Sequence, residues 1–520
     1  MKKYLAFLTA VVFIASSSAQ NQSFVSFYED GTTKKAEGQF LEGKQEGVWK
    51  TWHANGSLES TAMYNQGILN GDEVFYYGNG KKKQFTHYKW GKKDSIYQEW
   101  YPDGKERLVG YYTYNLQDSI WTYWYRNGQP KKVENRNEGE IILIHLWDKF
   151  GDQLVSDGEG MLRYFHANGN LMEETPIAGG LRNGLSKRYY EDGQLRSEGT
   201  YKNGLFQGKW SFYRADGTLS KTQTFNNDRL NGDYIGYYIN GQVAEQGSFM
   251  DDQRSGKWQA FSKEGSLRWT GNFVNDKEEG DWSYYYDSGR LESKGRYNAG
   301  KKIGTWKYFY ETGELYQKGD YSNDLKNGLW TSYWENGKEL SKGEFENDKQ
   351  QGFWESWYSN GDVMNKGKYE KGLMDGDWIG YYPEKVKAFE GSWKVGLKNG
   401  NWVYYFENGS IKESGSYEEG LEEGQWDYYF ETGKMSMYGK YSTGRKNGEW
   451  VFYYPHGSKL RTQSFNEGKQ DGSCTEWDRN GNVVSQTSYK NGLPHGKWTF
   501  YTKEGKVAQK VKYKYGQRIE

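Results

Sequence analysis

The histidines are among the residues of this sequence best suited to catalysis or metal binding. None of the six has the H-E-x-x-H or H-x-H spacing of a metal site, and two begin the turn-like segments His53-Ala54-Asn55-Gly56 and His166-Ala167-Asn168-Gly169. The other four are His87, His145, His456 and His495. Turn or surface positions are therefore the simpler interpretation of all six, and we expect no metal site.

The single cysteine, Cys474, could act as a nucleophile because cysteine is intrinsically reactive. Its position favours packing instead, since Trp450 lies 24 residues before it and Trp498 lies 24 residues after it. Cysteine behaves as a small hydrophobic residue when buried. We therefore expect Cys474 to fill a core position, and one cysteine cannot form a thiolate metal cluster.

Three further segments imitate ligand-binding motifs without completing them. The segments Gly204–Trp210 and Gly492–Trp498 resemble phosphate loops, but they have one residue too few between the glycines and end in Trp where Ser or Thr should bind magnesium. Asp478–Asn482 begins like a calcium loop, but its glycine falls too early. Acidic residues recur at loop positions without singling out an acid and a base. We expect no enzymatic activity and no cofactor.

A repeat of 24 residues organises the chain. Its G-x-W signature recurs at Gly208-Lys209-Trp210, Gly256-Lys257-Trp258, Gly304-Thr305-Trp306, Gly328-Leu329-Trp330, Gly400-Asn401-Trp402 and Gly448-Glu449-Trp450. The same glycine series runs unbroken from Gly160 to Gly496. A second series, at Gly56, Gly80, Gly104 and Gly128, keeps the period in a different phase.

Each repeat has the pattern of a β-hairpin followed by a second turn. Aromatic residues favour strands, and Asn-Gly or Asp-Gly steps favour tight turns. The first turn contains Ala215-Asp216-Gly217, Glu335-Asn336-Gly337 or Glu407-Asn408-Gly409. We assign the second turn to Asn203-Gly204, Asn327-Gly328 and Asn447-Gly448. Each repeat should supply two short antiparallel strands.

Variation within the repeat suggests which residues pack. An aromatic residue four before the first-turn glycine is retained, as in Trp52, Tyr213 and Tyr501, whereas the residue just before it varies. Because side chains alternate across a strand, we expect the varying position on the surface opposite the core. The glycines inside the second strand should leave room for rings of the neighbouring strand. They are Gly247, Gly271, Gly295, Gly319, Gly343 and Gly367.

Charge and the N-terminus bear on partners and location. The 69 basic and 69 acidic residues are interspersed, so no basic surface for nucleic acid is expected. Lys2 and Lys3, an apolar run and Ser17-Ser18-Ala19 are typical of a secretory signal peptide cleaved after Ala19. The apolar run is too short to anchor the protein in a bilayer. We expect an exported protein, located in the periplasm, on the outer cell surface or outside the cell, with no integral membrane segment after cleavage.

The pattern Y-x-x-G-x-x-x-G-x-W-x-x-Y-Y-x-x-G resembles the MORN repeat. In particular, it resembles the bacterial variant of that repeat, which is found in the so-called YwqK-family antitoxins. The resemblance spans about Phe24 to Tyr513 and implies hairpins laid side by side. We therefore expect an all-β fold of tandem β-hairpin repeats in one elongated, twisted antiparallel sheet. Some positions depart from the pattern. Glu73, Ser186 and Cys474 replace the usual Trp, and Tyr382-Pro383-Glu384-Lys385 replaces the turn glycine.

The change of repeat phase and the one aliphatic run of the mature chain suggest the domain organisation. We expect a signal peptide at residues 1–19 and an N-terminal repeat array at 20–140. We also expect an irregular junction at residues 141–160 and a C-terminal repeat array at 161–520.

Repetition without a chemical motif favours a non-enzymatic scaffold that binds a protein at the cell envelope. One alternative is binding of a cell-surface polysaccharide through exposed aromatic rows; another is antitoxin-like neutralisation of a partner protein. The candidate binding surface is formed by Tyr284, Tyr308, Tyr404, Tyr428 and Phe452. Stacking of these rings along the sheet is the competing interpretation.

Overall fold

A computed structural model describes residues 21–520. These residues divide into two compact units, residues 21–253 and residues 254–520. The predicted signal peptide, residues 1–19, and its cleavage site lie outside the described residues. The predicted boundaries at residues 140 and 160 stay predictions.

Almost every described segment is a β-strand. The strands that begin before residue 253 are β1 (Asn21–Phe27), β2 (Lys34–Leu41), β3 (Lys44–Trp52), β4 (Leu58–Asn65), β5 (Ile68–Tyr76), β6 (Lys82–Lys89), β7 (Lys92–Trp100), β8 (Glu106–Thr113), β9 (Leu116–Trp124), β10 (Pro130–Asn137), β11 (Glu140–Trp147), β12 (Gln153–Ser156), β13 (Glu159–Phe165), β14 (Leu171–Ala178), β15 (Leu181–Arg182), β16 (Gly184–Tyr189), β17 (Leu195–Lys202), β18 (Leu205–Tyr213), β19 (Leu219–Asn226), β20 (Arg229–Tyr237) and β21 (Val243–Met250).

The later strands continue in the same order, most of them with eight or nine residues. They are β22 (Gln253–Phe261), β23 (Leu267–Val274), β24 (Lys277–Tyr285), β25 (Leu291–Asn298), β26 (Lys301–Phe309), β27 (Leu315–Ser322), β28 (Leu325–Tyr333), β29 (Glu339–Glu346), β30 (Lys349–Trp357), β31 (Val363–Glu370), β32 (Leu373–Tyr381), β33 (Lys387–Lys394), β34 (Leu397–Tyr405), β35 (Ile411–Glu418), β36 (Leu421–Tyr429), β37 (Met435–Ser442), β38 (Arg445–Tyr453), β39 (Lys459–Asn466), β40 (Lys469–Trp477), β41 (Val483–Lys490), β42 (Leu493–Pro494), β43 (Gly496–Tyr501), β44 (Val507–Lys514) and β45 (Gln517–Arg518).

Within each unit, nearly all strands that follow one another in the chain pair antiparallel, which confirms an all-β fold of tandem hairpins; β15 and β16 both pair with β14, and β42 and β43 both pair with β41. Between β24 and β25 the first turn is closed by two hydrogen bonds: Tyr286 N donates to Arg290 O and Gly289 N donates to Tyr286 O, both at 2.9 Å. The second turn, before β24, places Asn275 and Asp276 at φ 51° and 63°. Positive φ at both central residues is the geometry of a type I′ hairpin turn.

The assignment of Asn327-Gly328 and Asn447-Gly448 to turns is wrong, whereas Asn203-Gly204 is a turn as predicted. The two misassigned pairs lie inside β28 and β38. Gly328 has φ 72°, but it belongs to a bulge at which the pairing register of β27 and β28 shifts. Glycine at positive φ serves bulges as well as turns, so the sequence step alone did not distinguish them.

The turn without a glycine is confirmed as a local irregularity. Pro383–Lys385 forms a short 3₁₀ helix there, and Glu384 and Lys385 have φ 69° and 67°. Lys385 thus stands in the left-handed region at the position where the other first turns place glycine, and Glu384 before it is left-handed as well.

Tryptophan rings over glycine backbone form the core, which confirms the predicted packing. Trp210, Trp258, Trp306, Trp330, Trp402, Trp426 and Trp450 are each at most 1% exposed. A β-carbon on Gly295 would lie 2.2 Å from the Trp306 ring, a distance at which no side chain fits. The indole nitrogen of Trp306 donates to Arg296 O at 3.2 Å, so the ring is also anchored to the neighbouring strand.

Where the tryptophan is replaced, the residue facing it is usually larger than glycine. Ser186 lies with Thr175 and both are buried, their hydroxyls 2.5 Å apart. Cys474 pairs in register with buried Gln463, and Glu73 pairs with Ala62. The volume removed from one strand is partly restored on its neighbour.

An aliphatic cluster replaces the indoles around residues 141–160. Leu146, Val155, Leu162 and Ile177 are buried together, and Leu143 and Leu154 pack against them. Strands β11 to β14 still pair in sequence across this region.

Successive hairpins are also joined by hydrogen bonds from a residue at the start of the first turn. Tyr286 donates its hydroxyl to Phe309 O at 2.7 Å, and Tyr310 donates to Tyr333 O at 2.8 Å. His53 and His166 replace the tyrosine in two repeats, with Nε2 3.0 Å from the carbonyl oxygens of Tyr76 and Tyr189. These two histidines therefore have a structural role.

Candidate functional site

The sheet of the second unit has two chemically different sides. We call the side that carries the indoles the Trp face; along β26 it holds Lys302, Trp306 and Tyr308. The side that carries the residue between the glycine and the tryptophan of G-x-W is called the opposite face.

The predicted surface rings lie on the Trp face and are half-buried, so their predicted exposure on the surface opposite the core is wrong. Tyr284, Tyr308, Tyr404, Tyr428 and Phe452 each lie two residues after a core tryptophan, which directs them to the same side. Tyr308 stacks between Trp306 and Trp330, with centroid distances of 6.1 and 6.5 Å. A sugar could stack on this ring only by displacing a tryptophan.

The tyrosine hydroxyls of the Trp face pair with one another. Tyr284 and Tyr297 oxygens are 3.1 Å apart, and those of Tyr428 and Tyr441 are 3.2 Å apart. Burial is the main cause that raises the pKa of all four hydroxyls. They act here as neutral hydrogen-bonding groups.

Lysine side chains lie over the aromatic rings of the Trp face. Lys326 and Lys446 nitrogens each lie 4.1 Å from an indole centroid, those of Trp330 and Trp450. Burial lowers the pKa of both lysines. Cation–π contacts with the chain's own lysines therefore occupy ring surface that a ligand would otherwise use.

A cleft of about 540 Å³ opens on the opposite face of the second unit. Its lining includes apolar side chains and charged ones from β30 to β34. The lining residues are Phe353, Lys366, Gly367, Asp377, Trp378, Ile379, Glu390, Gly391, Ser392, Asn401 and Val403.

The acidic residues of the cleft are held in place by hydrogen bonds. Ser392 donates its hydroxyl to Asp377 at 2.5 Å, and Tyr405 donates to Glu390 at 2.5 Å. The Tyr405 bond and then the Lys387 bond lower the pKa of Glu390, so it stays ionised. The cleft thus presents apolar surface beside fixed negative charge.

The residue between glycine and tryptophan supplies the exposed part of this face. Phe353 is 54% exposed and Leu329, one repeat earlier, is 50% exposed. Asp377 and Asn401 occupy the same position in the next repeats. The positions between glycine and tryptophan, which form this exposed row, were not predicted from the sequence, although their variation among Lys209, Thr305, Leu329 and Glu449 was a usable signal.

Within residues 21–520, no group of three or more His, Cys, Asp and Glu side chains is arranged to hold a metal ion. The same residues include no helix with the length and apolarity needed to cross a membrane. Cys474 is 4% exposed, as expected for a core position, and burial is the main cause that raises the pKa of its thiol.

Native Cys474 is expected to react with iodoacetamide at least about a hundredfold more slowly than an exposed thiol, because both burial and a raised pKa suppress its thiolate. Mass spectrometry of the alkylated protein measures this rate. The matched control moves the cysteine by one position, combining Cys474→Ser with Ser473→Cys, since Ser473 is exposed. Equal rates for the two proteins would contradict the buried position.

Comparison with known proteins agrees with the repeat. The MORN repeat variant family matches residues 45–66, 182–203, 278–299, 302–323, 326–347, 398–419, 470–491 and 494–515. No curated protein matches the chain.

Solved structures match only weakly. A crystal structure of TcdB2-TccC3-Cdc42 is 10% identical, with a TM-score of 0.13, and the match covers 96% of this chain and 31% of that one. A Photorhabdus luminescens Tc holotoxin pore is 13% identical, with a TM-score of 0.14 and coverage of 93% and 30%. The chain thus spans less than a third of their length, and such TM-scores support no conclusion about fold or function. The family matches and the tandem hairpins together show that the chain is a MORN-variant repeat protein.

Proposed function

We propose that this protein is a non-enzymatic scaffold that binds a protein partner through the opposite face of its second unit. The observation that carries the proposal is exposed Phe353 at the cleft, with exposed Leu329 one repeat earlier on the same face, at a position whose residue differs from repeat to repeat. Aromatic side chains surrounded by polar groups commonly provide much of the binding energy of protein interfaces.

Within each repeat, the residues that maintain the fold differ from those that form the proposed binding surface. The tryptophan of G-x-W is fixed by packing and its glycine by a positive φ, as in Gly352 at 69°, whereas the residue between them points away from the core. Substitution on the row therefore changes the surface and leaves the frame intact, as in other repeat scaffolds. The MORN-type repeat supports a scaffold role as well.

An exported location completes the proposal. It is supported by the charged and apolar residues of positions 1–15 and by Ser17-Ser18-Ala19. Periplasmic, surface-bound and released forms are all compatible with a scaffold of this kind.

The test is affinity capture from envelope and culture-supernatant fractions with residues 20–520 as bait. Recovery of a specific protein should fall by about tenfold or more when Leu329 and Phe353 are both changed to Ser, because each removes an exposed apolar contact. Glu449→Ser, on the same row away from the cleft, is the matched control. Unchanged recovery with the double variant, at unchanged thermal stability, would contradict the proposal.

A further inference from the structure

Five successive strands of the second unit place a regular row of side chains beside the second turns. Strands β32, β34 and β36 begin there, and β33 and β35 end there. The residues at these strand ends alternate between apolar and charged types, and we call them the leucine row. In order along the sheet they are Leu373, Lys394, Leu397, Glu418 and Leu421.

The leucine row lies on the opposite face. Lys394 comes two residues after Ser392, which lines the cleft, and side chains two residues apart in a strand point to the same side. Lys394 also pairs in register with Leu397, and Glu418 pairs in the same way with Leu421, so the members of each pair share a face. The repeat therefore directs the whole row to one side of the sheet.

The three leucines of the row are held in place but exposed. Leu373, Leu397 and Leu421 are 46%, 49% and 48% exposed. The first two lie against the glycine of the next turn, since β-carbons on Gly396 and Gly420 would be 3.3 and 3.5 Å from their Cδ2 atoms. Neighbouring exposed apolar residues of this kind mark interaction surfaces.

Leucine at this strand position is not required by the repeat. The equivalent strands elsewhere in the second unit begin with Lys277, Lys301, Leu325, Lys349, Arg445, Lys469, Leu493 and Gln517. Polar residues therefore satisfy the fold at this position. Within residues 254–520, only the leucine row has leucine there in three successive repeats.

The charges of the row are arranged symmetrically about its centre. Lys394 and Glu418 lie on the two strands that flank Leu397, about 5 Å to either side, and the outer leucines lie about 10 Å to either side. Both charged side chains are exposed, and within residues 21–520 neither forms a salt bridge. Reversing the row therefore puts leucine opposite leucine and each charge opposite its counterion.

We propose that the leucine row is a self-association surface on which a second copy of the chain docks in the reversed direction. A two-fold axis through Leu397 brings Leu373 against Leu421 of the partner subunit and Lys394 against Glu418 of the partner subunit. The symmetry repeats both contacts, as in any isologous dimer. Docking in the same direction would oppose like charges, so the charges select the reversed arrangement. The proposal is independent of the protein-binding cleft, because it needs only a second copy of the chain.

The experiment is sedimentation velocity of residues 20–520 from about 1 to about 100 µM, a range suited to a small interface. The protein should form dimers as its concentration rises. Lys394→Glu should weaken the dimer by about tenfold or more, because it opposes carboxylates at two places. Leu397→Lys should have a similar effect and copies the residue of sister repeats. Lys301→Glu, at an exposed strand start away from the row, is the matched control and should leave the dimer unchanged.

Exchange of the charges tests the reversed arrangement itself. Glu418→Lys alone should weaken the dimer, whereas an equal mixture of the Lys394→Glu and Glu418→Lys proteins should restore the native affinity to within about threefold. In the mixture each protein supplies the charges opposite to those of the other. A chain that stays monomeric at about 100 µM, as it would if a different protein or a membrane covers the leucines, would overturn the proposal. So would dimers that Lys394→Glu leaves unchanged, or weakened dimers that the mixture does not restore.

Discussion

Changing Gly199 to Ala is expected to lower the local free energy of unfolding by about 3 kcal/mol. A β-carbon at this position would lie 2.1 Å from Cδ2 of Trp210, and Trp210 is 0% exposed, so the ring has no room to move. Hydrogen exchange of strands β17 and β18 measures this loss, because a repeat protein can open locally without unfolding as a whole.

Two matched variants show whether the steric clash is the cause. Gly78→Ala should change the free energy of unfolding by less than about 1 kcal/mol, since its nearest side-chain atom, Asn55 Nδ2, would be at 3.5 Å. Combining Gly199→Thr with Trp210→Ser copies the Thr175–Ser186 pair of the preceding repeat and should recover part of the protection that Gly199→Thr alone loses. Equal losses for Gly78→Ala and Gly199→Ala would contradict the glycine–indole packing.

Changing Glu173 to Ala is expected to cost about 3 kcal/mol in the same kind of measurement. Glu173 is 7% exposed, accepts a hydrogen bond from Thr175 at 3.0 Å and pairs with Arg182 at 3.0 Å. Removing the carboxylate leaves the buried Thr175 hydroxyl, and the partly exposed Arg182 guanidinium, without this acceptor. Hydrogen exchange of β14 and β16 measures the effect.

The adjacent residue supplies the control for this prediction. Glu174 also pairs with an arginine, Arg163 at 3.0 Å, but both side chains are at least one-third exposed, so Glu174→Ala should cost less than about 1 kcal/mol. A cost for Glu174→Ala as large as that for Glu173→Ala would show that burial is not the deciding factor.

Much of the fold can be predicted from the sequence, because steric packing between the strands determines it. A glycine and a tryptophan in fixed spacing on adjacent strands can pack in one way only, so Gly295 and Trp306 predicted a ring over a glycine. The hairpins followed from the same period. The fold class and the packing of Cys474 were therefore accessible before the structure.

Which face of the sheet is exposed could not be predicted by the same reasoning. Both Tyr284 and Leu329 vary between repeats, yet Tyr284 shares the side of the core indoles and Leu329 does not. Bulges change the register next to the tryptophan, so counting residues from the turn did not locate the exposed row.

The most direct test of the scaffold account is photo-crosslinking from the cleft itself. Benzoylphenylalanine at position 353 preserves an aromatic side chain and reacts only with what lies against it. If a protein partner binds at the cleft, we expect one specific crosslinked protein from position 353, reduced by Leu329→Ser and absent when the same probe replaces Glu449. Specific crosslinking from position 449 with none from position 353 would contradict binding at the cleft.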